Sequence, residues 1–228
     1  MDIIAVLAQR RVLGQTTAMQ PLDATTLQMG ALWLCREEPR FRGVLDRHGL
    51  PALRATSSGL PALLMIVTEQ FLSLQAAAAI WQRVSHRLAP LDTETILGCS
   101  TKELLSLGLS RAKAKSFHGI AAAVAGGTCS FSEIAGLGDA AAAKYLCKLP
   151  GVGPWTADIY LLAAELRPDV WPWGDLALQA AAHNLLSLDE RPDRAAMQAI
   201  GLRFSPWRAV AARLLWSHYR DIKGLAQA

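Results

Sequence analysis

The chain has 228 residues, 52% of them hydrophobic and 18% charged, with a formal net charge of +4. That is enough apolar material for one globular unit or two small lobes sharing a cleft, and it excludes a chain that is mainly disordered. The apolar runs at 63–67 and 121–125 are far shorter than the roughly 20 residues of a membrane span. In the opening segment, MDIIAVLAQRR, the basic pair follows the apolar stretch, which is the reverse of a secretory signal, so a cytosolic protein is expected.

Apolar residues recur at spacings of three and four almost throughout, and strand-like alternation is scarce, which predicts an all-α fold. The first 20 residues carry few signals. In chain order, helices are expected over 24–37, 40–48, 60–70, 74–88, 93–97, 102–107, 111–125, 131–135, 139–148, 154–166, 176–186, 194–204 and 207–219. Ser110 and Asp193 stand where N-caps belong, and Pro154 and Pro206 where a first helical turn tolerates proline. Alanine-rich patches at 76–79, 121–125 and 140–143 suit close helix packing. The four cysteines, Cys35, Cys99, Cys129 and Cys147, lack the close spacing of a zinc or iron-sulfur ligand set and are expected to be reduced. The five histidines are scattered, with no metal-like pairing on one helix face.

The stretch Leu149-Pro150-Gly151-Val152-Gly153-Pro154-Trp155-Thr156-Ala157 is a glycine-punctuated turn between two helical patterns. Its glycines reach backbone angles closed to other residues and put no side chain between the turn and a ligand. Because Pro154 opens a helix, the free N–H groups and the positive dipole end there suit an anion such as a DNA phosphate. An ordinary tight turn between helices explains the same spacing. Twenty residues after Trp155, the segment Trp171-Pro172-Trp173-Gly174-Asp175 places an acid at the start of another helix. Asp175 reads both as an N-cap and as a carboxylate kept ionised by the helix dipole beside a partly dry cleft.

These islands resemble the helix-hairpin-helix DNA glycosylases, and within them the 3-methyladenine DNA glycosylase II family. The likeness runs from Leu34-Cys35-Arg36 through Ile66 to Ser73, Gly108-Leu109-Ser110 with Lys113, the hairpin, Arg167-Pro168-Asp169-Val170, Asp175, and Pro206-Trp207-Arg208 with Ala211 and Trp216. It implies two helical lobes around a DNA-binding cleft, about 60–166 and 1–59 plus 167–228. It also implies a monomeric enzyme that flips alkylated purines out of duplex DNA and hydrolyses the glycosidic bond. By the same resemblance Asp175 is the catalytic acid, and Leu149, Gly151, Val152, Gly153 and Thr156 grip the DNA backbone. Trp155, Ile159, Trp173 and Trp207 line the base pocket, and Gln70 and Phe71 form the wedge that fills the vacated stack. A sodium or potassium ion at the carbonyls of Leu149 and Val152 belongs to the pattern, and neither a catalytic metal nor an iron-sulfur cluster does.

Trp155 stands where strand-cutting relatives carry a Schiff-base lysine, which implies no lyase activity. Lys144 and Lys148, on the other side of the turn, read as solvated or phosphate-facing. Arg111, Lys113 and Lys115 read either as a second phosphate contact or as a solvated helix face. Two departures bear on substrate range: Ile159 replaces an aromatic ring, and 228 residues leave no room for the sheet-bearing N-terminal lobe of larger relatives. The list of substrates therefore stays open among 3-methyladenine, 7-methylguanine, ethenoadenine and hypoxanthine. Another lesion on the same fold, or a noncatalytic DNA-binding role, is the alternative.

Overall fold

Residues 20–53 and 58–224 are described in the computed structural model; the segment 1–19, on which the reading of the N-terminus rests, lies outside them. Among the described residues there are thirteen helices and no strand. They are α1 (Ala24–Glu37), α2 (Arg40–His48), α3 (Leu60–Glu69), α4 (Leu74–Arg87), α5 (Thr93–Gly98), α6 (Thr101–Ser106), α7 (Arg111–Ala125), α8 (Phe131–Gly136), α9 (Asp139–Leu146), α10 (Pro154–Ala163), α11 (Leu176–Leu185), α12 (Arg194–Leu202) and α13 (Arg208–Lys223).

Local chemistry explains most helix starts. Asp23, Ser73, Asp92, Ser100, Ser110, Ser130, Asp175 and Asp193 each accept a backbone N–H of the first turn through the side chain, satisfying one of the donors a helix start leaves unpaired. The ends depart more from expectation. α10 stops at Ala163 because Leu166 turns into the left-handed region (φ 51°) and the Arg167 N–H folds back to the Leu161 carbonyl at 3.0 Å. α13 runs past Tyr219 to Lys223, where left-handed Gly224 closes it.

The principal helix contacts fall into two sets. α3 packs on α4, α7 and α10; α7 also meets α5 and α6; α8, α9 and α10 follow in series. In the second set α13 packs on α1, α2 and α11, and α1 packs on α2. Buried Arg213 of α13 ties the sets together by donating to the Leu162 carbonyl near the end of α10 at 2.8 Å. Burial brings its guanidinium down to about 10, so it stays charged at neutral pH and suits the negative end of a helix. Arg208 forks onto Asp169 at 2.8 and 2.9 Å, fixing the start of α13 to the segment that leads to Asp175.

Candidate active site

Asp175 sits where the two helix sets meet. Upstream, Trp171 is buried with its indole N–H on the Met197 carbonyl at 2.8 Å, and its ring lies so close to Gly201 that a Cβ there would come within 2.6 Å. This anchor delivers Asp175 to the N-cap of α11, with Oδ1 accepting the Leu178 N–H at 2.8 Å. Oδ1 also accepts the Trp216 indole N–H at 3.1 Å, and Oδ2 accepts that of Trp155 at 2.8 Å. A carboxylate has about four acceptor directions, so three donors leave one free, on Oδ2. The result is a partly exposed anion oriented by one helix start and by two indoles from α10 and α13.

The aromatic surroundings differ from expectation at one position. Trp207 is not brought to the carboxylate: it is buried, its ring lies where a Cβ on Gly30 would come within 2.8 Å, and its N–H finds no acceptor among the described residues. Trp216 stands beside Asp175 instead. Trp207 precedes α13 as its cap, with non-helical backbone (φ −116°, ψ 28°), whereas Trp216 stands within the helix. Trp173 is half-buried with the Arg194 guanidinium 5.6 Å from its ring centre, and Ile159 is half-buried on α10, one turn beyond Trp155.

The hairpin is seated on α7. Gly151 has φ 77°, and a Cβ there would fall 2.0 Å from the Ser116 hydroxyl, so both backbone conformation and close approach require glycine. Gly119 plays the matching part on the helix, where a Cβ would meet Pro150 at 2.8 Å. Gly153 corrects the sequence reading: its φ of −97° is ordinary, and open space surrounds the position where a Cβ would stand. Its value is the bare approach it leaves to the start of α10. Leu149, Val152 and Thr156 are buried and fix the turn from beneath. The Leu149 carbonyl accepts the Val152 N–H at 3.1 Å and keeps a second lone pair, which is compatible with a monovalent cation on this turn. Among the described residues no group of three or more His, Cys, Asp or Glu is placed to hold a metal ion.

Between α3 and α4 the chain turns at Gln70 and Phe71. Phe71 is 101% exposed and left-handed, with φ 57°. The Gln70 side chain donates to the Gly151 carbonyl at 3.0 Å and to the Thr156 hydroxyl at 2.8 Å, linking this turn to the hairpin. Lys113 is partly buried, and its ammonium donates to the carbonyls of Thr68 and Gln70, both at 2.8 Å. Arg111 and Lys115 border a surface hollow beside Pro150. A further acid, Asp158, lies on α10 between Trp155 and Ile159. Burial pushes its carboxyl up to about 7; Arg208 opposes this and Asp139 adds to it.

The chain is similar to several known proteins. The Bacillus subtilis protein YfjP, provisionally named a DNA-3-methyladenine glycosylase, is 27% identical over 181 residues, covering 76% of this chain; the chain spans 63% of that relative's length. The Schizosaccharomyces pombe 3-methyladenine DNA glycosylase Mag1, solved with abasic DNA, superposes with a TM-score of 0.77 over 86% of this chain and 97% of its own, at 22% identity. A DNA-3-methyladenine glycosidase from Bacillus halodurans gives a TM-score of 0.73 at 24% identity, over 86% of this chain and 91% of its own. At those identities the two structures speak for the fold. The sequence pattern of HhH-GPD superfamily base excision DNA repair proteins matches residues 64–206, across the exposed turn, the hairpin and Asp175, and the chain therefore belongs to that superfamily.

Proposed function

We propose that this protein is a monofunctional DNA glycosylase that releases alkylated purines from duplex DNA, working as a monomer in the cytoplasm. The observation that carries this reading is the Asp175 carboxylate, oriented by the indole N–H groups of Trp155 and Trp216 with one acceptor direction left over. The name of the Bacillus subtilis relative YfjP, given provisionally as a DNA-3-methyladenine glycosylase, supports the substrate class.

In this reading Phe71 enters the base stack and the damaged nucleotide swings out, at an unstacking cost of roughly a few kcal/mol that a damaged pair lowers. The hairpin grips the neighbouring backbone through the N–H groups at the start of α10. A monovalent cation on the carbonyls of Leu149 and Val152 would add positive charge facing that phosphate. The C1′–N bond then breaks, and its electron pair leaves with the base, whose positive charge is neutralised. Asp175 stabilises the positive charge developing on the sugar and orients the water that adds to C1′ and gives up its proton to solvent, by the logic of glycoside hydrolysis. Trp155, at the position of the lyase lysine, offers no amine for a Schiff base, so the abasic strand stays intact.

The test uses duplexes carrying 7-methylguanine, 3-methyladenine, ethenoadenine or hypoxanthine. Wild type is expected to release at least one of these bases, with strand breaks only after alkali, and Asp175→Asn to bind DNA without releasing base. Undiminished release by the variant would remove Asp175 from its role, and breaks before alkali would refute the monofunctional reading. DNA binding with no release from any lesion would leave a noncatalytic clamp.

A further inference from the structure

We propose that Lys113 is a positioning residue for base extrusion: together with Gln70 it forms a strut that locks the Phe71 turn to the hairpin, so that wedge and backbone grip act as one rigid body. This rests on the reading of Phe71 as the wedge. The geometry begins with a difficulty. Phe71 is fully exposed, and its φ of 57° is a conformation that costs an L residue roughly 1–2 kcal/mol. Among the described residues nothing packs on the ring to repay that strain, so the turn is held from behind. α3 ends at Glu69, and the last carbonyls of a helix lack intrahelical partners and carry the negative end of its dipole.

Lys113 meets that need. It reaches across from the first turn of α7 and donates to the carbonyls on either side of Glu69, those of Thr68 and Gln70, at 2.8 Å each. Its ammonium is partly buried, and that burial lowers its affinity for a proton. The Gln70 carbonyl is the peptide oxygen immediately before Phe71. Its side chain meanwhile runs the other way, to Gly151 and Thr156. The same α7 helix also seats the hairpin, through Ser116 beneath Gly151 and Gly119 beneath Pro150. One helix thus sets the distance between the residue that enters the stack and the turn that grips the strand. A wedge that yielded by a few ångströms would be pushed back by the base stack instead of opening it.

The experiment follows stacking and chemistry separately. Fluorescence of a 2-aminopurine placed beside an abasic-site analogue in duplex DNA reports unstacking without any base release. Single-turnover excision is measured in parallel on a lesion opposite its normal partner and on the same lesion in single-stranded DNA. Lys113→Met is expected to match Phe71→Ala, losing the fluorescence rise and about tenfold in excision from the paired duplex, the scale of one charge-assisted hydrogen bond, while excision from single strands changes little. Lys113→Arg is expected to restore much of the loss, and Phe71→Ala with Lys113→Met to be no worse than Phe71→Ala alone. Equal losses on paired and single-stranded substrate, additive losses in the double variant, or a wild-type signal from Lys113→Met would overturn the proposal. If Lys113→Met does not fold, the comparison of Lys113→Gln with Lys113→Arg decides in the same way. Unstacking by wild type with no base release from any lesion would defeat the glycosylase reading and leave the strut standing, whereas no unstacking by wild type would defeat the strut.

Discussion

Replacing Gly151 with alanine tests the seating of the hairpin through a single methyl group. Two terms add. The residue holds φ 77°, which costs an L side chain roughly 1–2 kcal/mol. The new Cβ would stand 2.0 Å from the Ser116 hydroxyl and 2.8 Å from its Cβ, and overpacking of this kind typically costs about 1–3 kcal/mol. Ser116 cannot simply rotate away, being buried with its hydroxyl donating to the Ala112 carbonyl at 3.0 Å. Together the terms are expected to lower Tm by on the order of 10 °C and, on the proposed reading of the hairpin as the backbone grip, to weaken binding of damaged and undamaged duplex alike, because the turn must lift off α7. Adding Ser116→Gly removes the overlap but not the backbone strain, and brings its own helix cost of about 1 kcal/mol. The double variant should therefore be less destabilised than the sum of the single ones by about 1–3 kcal/mol. Calorimetry and fluorescence anisotropy on the four proteins of the cycle measure both quantities. A Gly151→Ala protein with wild-type Tm and DNA affinity, or strictly additive effects, would refute the account of the seat.

The remaining expectations concern two carboxylates, Asp175 and Asp158. Trp216→Phe and Trp155→Phe each delete one indole donor to Asp175 while retaining a ring, and each is expected to slow single-turnover base release by about tenfold or more, the value of a hydrogen bond to a charged group, with DNA affinity much less changed. An equal loss in binding and chemistry would instead make these residues simple pocket walls. Asp158 binds its proton more tightly in the folded chain, at about 7 against the ordinary aspartate value of 3.8. Its contribution to stability is thus fully present below about 4 and is lost as pH rises through about 7. Asp158→Asn is expected to remove that decline, so its Tm should exceed that of wild type above pH 7 and approach it at low pH. Parallel pH profiles of Tm for the two proteins would contradict the burial of this acid.

The parts of the site legible in the sequence are those whose causes lie within a few residues. Asp175 could be read as an N-cap because the donor it satisfies, Leu178 N–H, is three positions away. The hairpin could be read from its own glycines and Pro154, although only Gly151 uses the left-handed freedom expected of both. Phe71 needed the resemblance, since one apolar residue after an apolar helix ordinarily belongs to a core. Lys113 could be picked out by the resemblance, but its contacts could not: in sequence it is one charge in a basic run, and its partners lie 45 and 43 positions earlier in the chain.

By itself the sequence determined the helical class, most helix starts, the glycine-punctuated turn and the acid at the head of α11, because periodicity and capping are settled by neighbours along one turn. The tertiary structure alone decided which tryptophan meets that acid, where the ends of α10 and α13 fall, and what holds the exposed turn. Donors to Asp175 arrive from 20 and 41 residues away. Their convergence depends on how α10 and α13 pack across the junction of two helix sets, and no local preference encodes that angle.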